Sequence, residues 1–253
     1  MPSEKLPIAL CLGLPGSAST WAYNICAQLL MLKNASLECV YADCFEDVRN
    51  YLVAAEAASS SLIIKSHMAD DALRSYFSRP NLNVILTVRD PRDCVLSLTE
   101  RFHTPFDFAL ARVLESCQAV QALHKTGISL LRYENRFFES KETLVAMHRY
   151  LQIEADCDFD DLLREHRKEA VMSFIETFDE LPKERIQKLS AIDSCDVATQ
   201  WHTRHFGDGL VGKWQQRFNC EQKARLNQVL APAIEALGYP AEENVCEEIE
   251  IDA

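Results

Sequence analysis

The stretch "IALCLGLPGSASTWAY" (residues 8–23) decides how the rest of the chain is read. An apolar run opens it, a loop containing Gly13, Pro15 and Gly16 follows, and a helical pattern starts near Ser17. A strand–loop–helix of this kind presents backbone N–H groups and hydroxyls at a helix N-terminus, which suits a phosphate. A Walker A loop would carry Gly-Lys before its Ser or Thr, but here the chain runs Ala18-Ser19-Thr20-Trp21. An ordinary β–α turn with a serine cap accounts for the same residues.

Further apolar runs follow at 37–41, 60–66, 83–89 and 127–133. Between them the spacing predicts helices over about 17–33, 47–57, 69–77 and 105–125, with another starting at Pro91, a good first-turn residue. Continuous apolar strands alternating with helices predict an α/β domain built on a mainly parallel sheet. After Phe138 the pattern is almost entirely helical, apart from a less regular segment over about 177–218. No repeat or low-complexity linker interrupts the chain, so one domain is expected over 1–253, ending in a solvated acidic tail at 241–253.

The bulk numbers narrow the class. The net charge of −12 argues against a broad surface for nucleic acid or anionic membrane, while leaving room for a small anion held by local cations. No apolar run reaches the ~18 residues a membrane span needs. The N-terminus lacks a signal-peptide pattern, which predicts a cytoplasmic address. Ten cysteines without a C-x-x-C pair read as reduced, mostly buried thiols, and seven histidines without ligand spacing predict no metal centre.

The residues able to do chemistry fall just after the expected strands, where open α/β sheets bind their ligands. Lys65 and His67 lie two apart at a strand end and share a face if the strand continues. A histidine of near-neutral pKa suits the deprotonation of a hydroxyl, and a nearby lysine suits charge developing on a transferred group. Taken alone, a histidine in such a place is more often a satisfied structural one. Arg89 ends the next strand and offers a fork for phosphate, with Ser97 two helical turns later; Arg92 and Asp93 read as a solvated pair at a helix start.

Together these residues resemble the sulfotransferases that use 3′-phosphoadenosine-5′-phosphosulfate (PAPS). That family's first element is Pro, a basic residue, then Ser-Gly-Thr-Thr-Trp; here it is Pro15 through Trp21. Its Lys-Thr/Ser-His element is matched by Lys65-Ser66-His67, and its Arg-x-Pro-x-Asp-x-x-x-Ser element by Arg89 through Ser97. Arg132-Tyr133-Glu134-Asn135 is similar to a further strand end. Gly209, Gly212, Trp214 and Phe218 match a late glycine–tryptophan element, so the likeness spans about 8–218. The resemblance implies a Rossmann-like, P-loop-type fold and sulfuryl transfer from PAPS, as co-substrate, to a hydroxyl of a small-molecule acceptor. It implies that Gly16, Ser17, Ala18, Ser19 and Thr20 form the 5′-phosphosulfate loop and that Trp21 stacks on adenine. Arg89 and Ser97 would hold the 3′-phosphate, and Tyr133 would approach the base. His67 would be the general base, and Lys65 would offset charge on the sulfuryl group or the leaving phosphate.

Two departures stand against that pattern. Gly16 replaces the basic residue after Pro15, a loss comparable to removing an oxyanion donor, ~3–4 kcal/mol of barrier unless another cation replaces it. Lys65 is the first residue expected to do so. Ala18 replaces a glycine and narrows the room for a phosphate. The family's late Arg-Lys-Gly triplet falls on Gly207-Asp208-Gly209, where Asp208 has the wrong sign; Arg204 or His205 is expected to substitute, with Lys213 a further candidate. Two other functions remain open on the sequence. One is a non-catalytic protein that binds PAPS or its bisphosphate product, which Gly16 and Asp208 favour. The other is a P-loop small-molecule kinase, which the absent Gly-Lys disfavours.

Overall fold

The computed structural model describes residues 6–34 and 36–241. Beyond Ala241 the acidic tail lies outside the described residues.

Five strands form one parallel sheet: β1 (Ile8–Gly13), β2 (Leu37–Tyr41), β3 (Ser61–Ser66), β4 (Asn83–Val88) and β5 (Leu130–Arg132), in the order β2-β3-β1-β4-β5. β1, β3 and β4 are buried along their whole length, the condition that makes a strand read as a continuous apolar run. Successive side chains of β1 go to opposite faces: Ile8, Leu10 and Leu12 join one core, Ala9 and Cys11 the other.

Helices cover both faces. The first core receives α2 (Phe45–Ala58), α3 (Asp71–Phe77), α4 (Pro91–Phe102), α5 (Phe106–His124) and, through Trp214, α9 (Trp214–Arg217), together with α10 (Cys220–Ala236). The second receives α1 (Ser19–Lys33), α6 (Lys141–Tyr150), α7 (Phe159–Glu165) and α8 (Lys168–Glu176). This is the expected α/β architecture. No helix among the described residues is long and apolar enough to cross a membrane. Five of the nine described cysteines are buried, and all nine carry free thiols.

Two elements differ from the sequence reading. The run at 127–133 gives only three strand residues, because β5 pairs with β4 alone and only over Leu130–Arg132. The stretch after Phe138 is not purely helical: β6 (Ile186–Lys188) and β7 (Ser194–Asp196) form a small antiparallel ladder. Its anchor is Asp196, fully buried, which takes two hydrogen bonds from Arg185 (3.0 and 2.6 Å) and one from Thr199 (2.6 Å).

The strand order puts β1 between β3 and β4, and the chain crosses over β1 on its way from one to the other. The crevice at the carboxyl ends of these three strands is where such a sheet places a ligand. Register aligns Leu12 with Ser66 and Gly13 with Thr87. The end of β1 is thereby flanked by the Lys65–His67 segment and by Arg89.

Candidate functional site

The loop after β1 is tied down by small side chains. Ser17 Oγ donates to the Leu14 carbonyl (2.6 Å) and lies 2.7 Å from Thr87 Oγ1, while the Ser17 N–H also bonds Leu14. Its hydroxyl is thus engaged in holding the loop to β4 and differs from the phosphate donor expected of it. A methyl added at Gly13 would lie 1.9 Å from Thr87 Oγ1 and 2.8 Å from Ser19 Cβ. Thr87 is fully packed and cannot swing aside, so Gly13→Ala is expected to destabilise the fold by about 1–3 kcal/mol through overpacking. Chemical denaturation reads this directly, and an unchanged midpoint would mean that the loop absorbs the methyl.

Gly16 adopts φ +78° and Ala18, at the N-cap of α1, φ +61°, both in the left-handed region. No side chain caps α1. The first N–H groups of a helix have no intrahelical acceptor, so this terminus, with the Ser19 and Thr20 hydroxyls alongside, has donors to offer an anion.

At the end of β3 the geometry fixes a tautomer. His67 Nδ1 is 2.6 Å from the Gly13 carbonyl, which can only accept, so Nδ1 carries the proton. Nε2 is then an unprotonated lone pair, and Lys65 Nζ stands 3.0 Å from it. Burial first, and the Lys65 ammonium second, push the imidazole down to about 3. Burial likewise brings Lys65 down to about 8. Lys65 and His67 do share a face, as their spacing requires. The ammonium, however, is spent on His67 rather than on the empty position at Gly16.

Sequence reasoning missed Asp43. Its Oδ1 accepts from Ser66 Oγ (2.9 Å) and from the N–H groups of His67 and Met68 (3.0 Å each). Burial alone would raise this carboxyl; the hydrogen bonds from His67, Ser66 and Met68 outweigh it and hold it below its usual range. Asp43 lies two residues past β2, so the strand-end rule that found Lys65 would also have found it.

Arg89 is nearly buried. It donates to the Gly16 carbonyl (3.3 Å) and the Leu210 carbonyl (2.7 Å), and its guanidinium lies over the Tyr133 ring at 4.5 Å. Tyr133 in turn donates to the Gly209 carbonyl (3.4 Å) and packs against Phe138. Gly16, Arg89, Tyr133 and the 209–210 backbone therefore meet. Ser97 joins them: a Cβ at Gly16 would fall 2.7 Å from Ser97 Oγ.

Trp21 is brought to the loop but packs edge-on against Phe137, ring centroids 5.7 Å apart, inside the second core. Arg92 and Asp93 are a correction to the sequence reading. Both are buried, because Arg92 bonds Asp90 and the Pro240 carbonyl while Asp93 accepts the N–H groups of Gly212 (2.7 Å) and Trp214 (3.2 Å). They fasten the late loop and the C-terminal end to α4.

The late cations are also arranged differently. Arg204 gives its backbone N–H to Asp193 (3.4 Å), and no hydrogen bond or ion pair among the described residues joins its side chain to Arg89 or Ser97. Lys213 sits between Glu100 (2.5 Å) and Asp208 (2.6 Å). Asp208 is thereby neutralised locally: its carboxyl is lowered first by the Lys213 hydrogen bond.

Buried polar atoms around the crevice bear on its fit to a phosphorylated nucleotide. Among the described residues, several buried polar atoms have no hydrogen-bond partner, and three of them, Trp21 Nε1, Arg89 Nε and His205 Nδ1, belong to segments that border the loop or its neighbour, the 205–210 strap. Unpaired buried polar atoms are costly, about 1–3 kcal/mol each, and the Trp21 and Arg89 N–H groups are donors that a bound acceptor would satisfy. The residues fit the group.

Comparison with known proteins agrees with this geometry. Residues 13–107 match the family model for the sulfotransferase domain. No curated protein matches the chain in sequence. Among solved structures, mouse sulfotransferase SULT7A1 complexed with PAP superposes on 93% of this chain and 91% of its own, with a TM-score of 0.62 at 13% identity. Retinol dehydratase in complex with retinol and PAP covers 92% of this chain and 83% of its own (TM-score 0.54, 12% identity). The same enzyme with androsterone and inactive cofactor PAP covers 92% and 82% (TM-score 0.55, 12% identity). At these identities the structural likeness establishes a shared fold.

Proposed function

We propose that this chain, whose residues 13–107 match the family model for the sulfotransferase domain, transfers a sulfuryl group from PAPS to the hydroxyl of a small-molecule acceptor, with His67 as general base. The observation that carries the reading is the unprotonated Nε2 of His67, held in place by the Gly13 carbonyl and set beside Lys65. PAPS would supply the sulfuryl group and its phosphate leaving group. Toward it the chain offers the α1 N-terminus with Ser19 and Thr20 at the 5′ end, and Arg89 with Ser97 at the 3′ end. Ser17 contributes by shaping the loop.

Lys65 and His67 act as a coupled pair in this mechanism. While Lys65 donates to Nε2, the base is masked. Turning the ammonium toward negative charge at the 5′ end unmasks the lone pair. The same movement removes the second cause of the low His67 pKa, so basicity rises as the acceptor proton must be taken. No covalent enzyme intermediate is required; positioning and electrostatic stabilisation do the work.

Retinol and androsterone occupy structural neighbours of this chain. Here Trp201 and Phe206 stack on each other and pack against His205, whose carbonyl receives Arg101 beside the loop. Apolar alcohols therefore belong in an acceptor panel beside phenols and sugars.

The reading is tested by titrating the protein with adenosine 3′,5′-bisphosphate and with ATP, following thermal stability with and without magnesium. Stabilisation by the bisphosphate, independent of magnesium, is expected. A preference for ATP with magnesium would overturn the reading in favour of a kinase. Transfer of labelled sulfate from PAPS to the panel then separates an enzyme from a protein that only binds the nucleotide, the alternative that Gly16 favours.

A further inference from the structure

Gly16 leaves the 5′ loop without its side-chain cation, and Lys65 is engaged with His67 until charge at the 5′ end draws it away. A third cation is already at the loop. Arg101, one turn beyond Ser97 on α4, donates from Nε to Ser97 Oγ (3.0 Å) and from Nη1 to the His205 carbonyl. Its Nη2 has no hydrogen-bond partner among the described residues and lies 3.8 Å from where a Cβ on Gly16 would sit. The direction in which a residue-16 side chain would leave the backbone is thus filled by Ser97 and the Arg101 guanidinium.

Three features single this arginine out. No carboxylate among the described residues forms an ion pair with it, while Asp93 faces Arg89, Glu100 and Asp208 hold Lys213, and Asp193 holds His202. Its head group is held in place by Ser97 Oγ, by the His205 carbonyl and by the Phe102 ring, over which it lies at 4.8 Å. Burial, and then the nearby Arg89, work against its charge and bring it to about 10. A guanidinium packed beside another arginine with no counter-charge is costly, and it is satisfied by an anion at the loop.

We propose that Arg101 supplies the missing cation of the 5′-phosphosulfate loop, reaching from α4 the place that a basic residue after Pro15 would reach from the loop itself. Glycine at 16 is set by its φ of +78° and by Ser97 Oγ, 2.7 Å from an added Cβ, while Arg101 Nη2 stands in ordinary contact beyond at 3.8 Å. The proposal rests on the sulfotransferase reading and assigns one residue within it.

The test compares binding of adenosine 3′,5′-bisphosphate, adenosine 3′-monophosphate and adenosine 5′-monophosphate to the wild type and to Arg101→Met, by calorimetry, with thermal melts to check folding. Losing a charge-assisted hydrogen bond is expected to weaken the bisphosphate and the 5′-monophosphate about 10- to 100-fold. The 3′-monophosphate should change less than about twofold, and Arg101→Lys should recover part of the loss. If the 3′-monophosphate weakens as much as the bisphosphate, Arg101 serves the Ser97 end and the proposal is wrong. Unchanged bisphosphate binding in a folded Arg101→Met also overturns it, and leaves the sulfotransferase reading intact. If the wild type binds no bisphosphate, both fall together. Should Arg101→Met melt early, Arg101→Lys alone decides: a 5′-end loss with an unchanged 3′-end supports the assignment, and no change at either end refutes it.

Discussion

Replacing Arg92 by leucine is expected to destabilise the fold by about 3–5 kcal/mol, the range for breaking a buried ion pair from one side. Arg92 is 1% exposed. Its Nε and Nη2 hold the two oxygens of Asp90 at 3.0 and 2.7 Å, and Nη2 also donates to the Pro240 carbonyl at 3.0 Å. The guanidinium lies over the Trp214 ring at 4.3 Å. Leucine refills part of the volume but strands the Asp90 carboxylate and a C-terminal carbonyl in a dry setting. The uncompensated carboxylate is the main cost, so adding Asp90→Asn should recover part of the loss. Chemical denaturation measures both variants; a loss below about 1 kcal/mol for Arg92→Leu would mean that water reaches the pair.

The second large effect concerns the chemistry. His67→Asn is expected to lower kcat by about 10²–10⁴ while leaving bisphosphate affinity within about twofold, since Asn removes the base and retains a polar side chain. The pH profile adds a constraint. In the free protein His67 is held near 3 by burial and Lys65, so kcat/KM should show no acid limb near 6.5. Lys65 is charged below about 8, so kcat/KM should fall as pH rises through about 8, earlier than for a lysine of ordinary pKa, ~10.4. Wild-type turnover in His67→Asn would reject the base assignment. An acid limb at 6.5 with a flat profile up to pH 10 would reject the coupled pair.

Much of the candidate site was legible because its positions follow from strand ends. Lys65, His67, Arg89 and Tyr133 each sit at or just past the end of a strand, and a parallel sheet collects such positions in one crevice. Roles were less legible than positions. In Arg89-Asp90-Pro91-Arg92-Asp93 the first arginine faces the crevice and the second is buried in the scaffold. Both are arginines flanking one helix start. Only the distant Trp214 and Pro240 tell them apart. Ser17 looked like a ligand donor for the same reason, until Thr87, seventy residues away, took up its hydroxyl.

By itself the sequence determined the parallel sheet, the loop after β1 and the shared face of Lys65 and His67. Those are consequences of local periodicity and of residue type, which hold whatever the rest of the chain does. Tertiary structure alone decided that Lys213 neutralises Asp208, that Asp43 fixes the His67 backbone, and that Arg101 reaches Gly16 across a gap of 85 positions. A charge is useful only where it points. For a long side chain that direction is set by the packing of remote helices and loops, and no spacing along the chain encodes it.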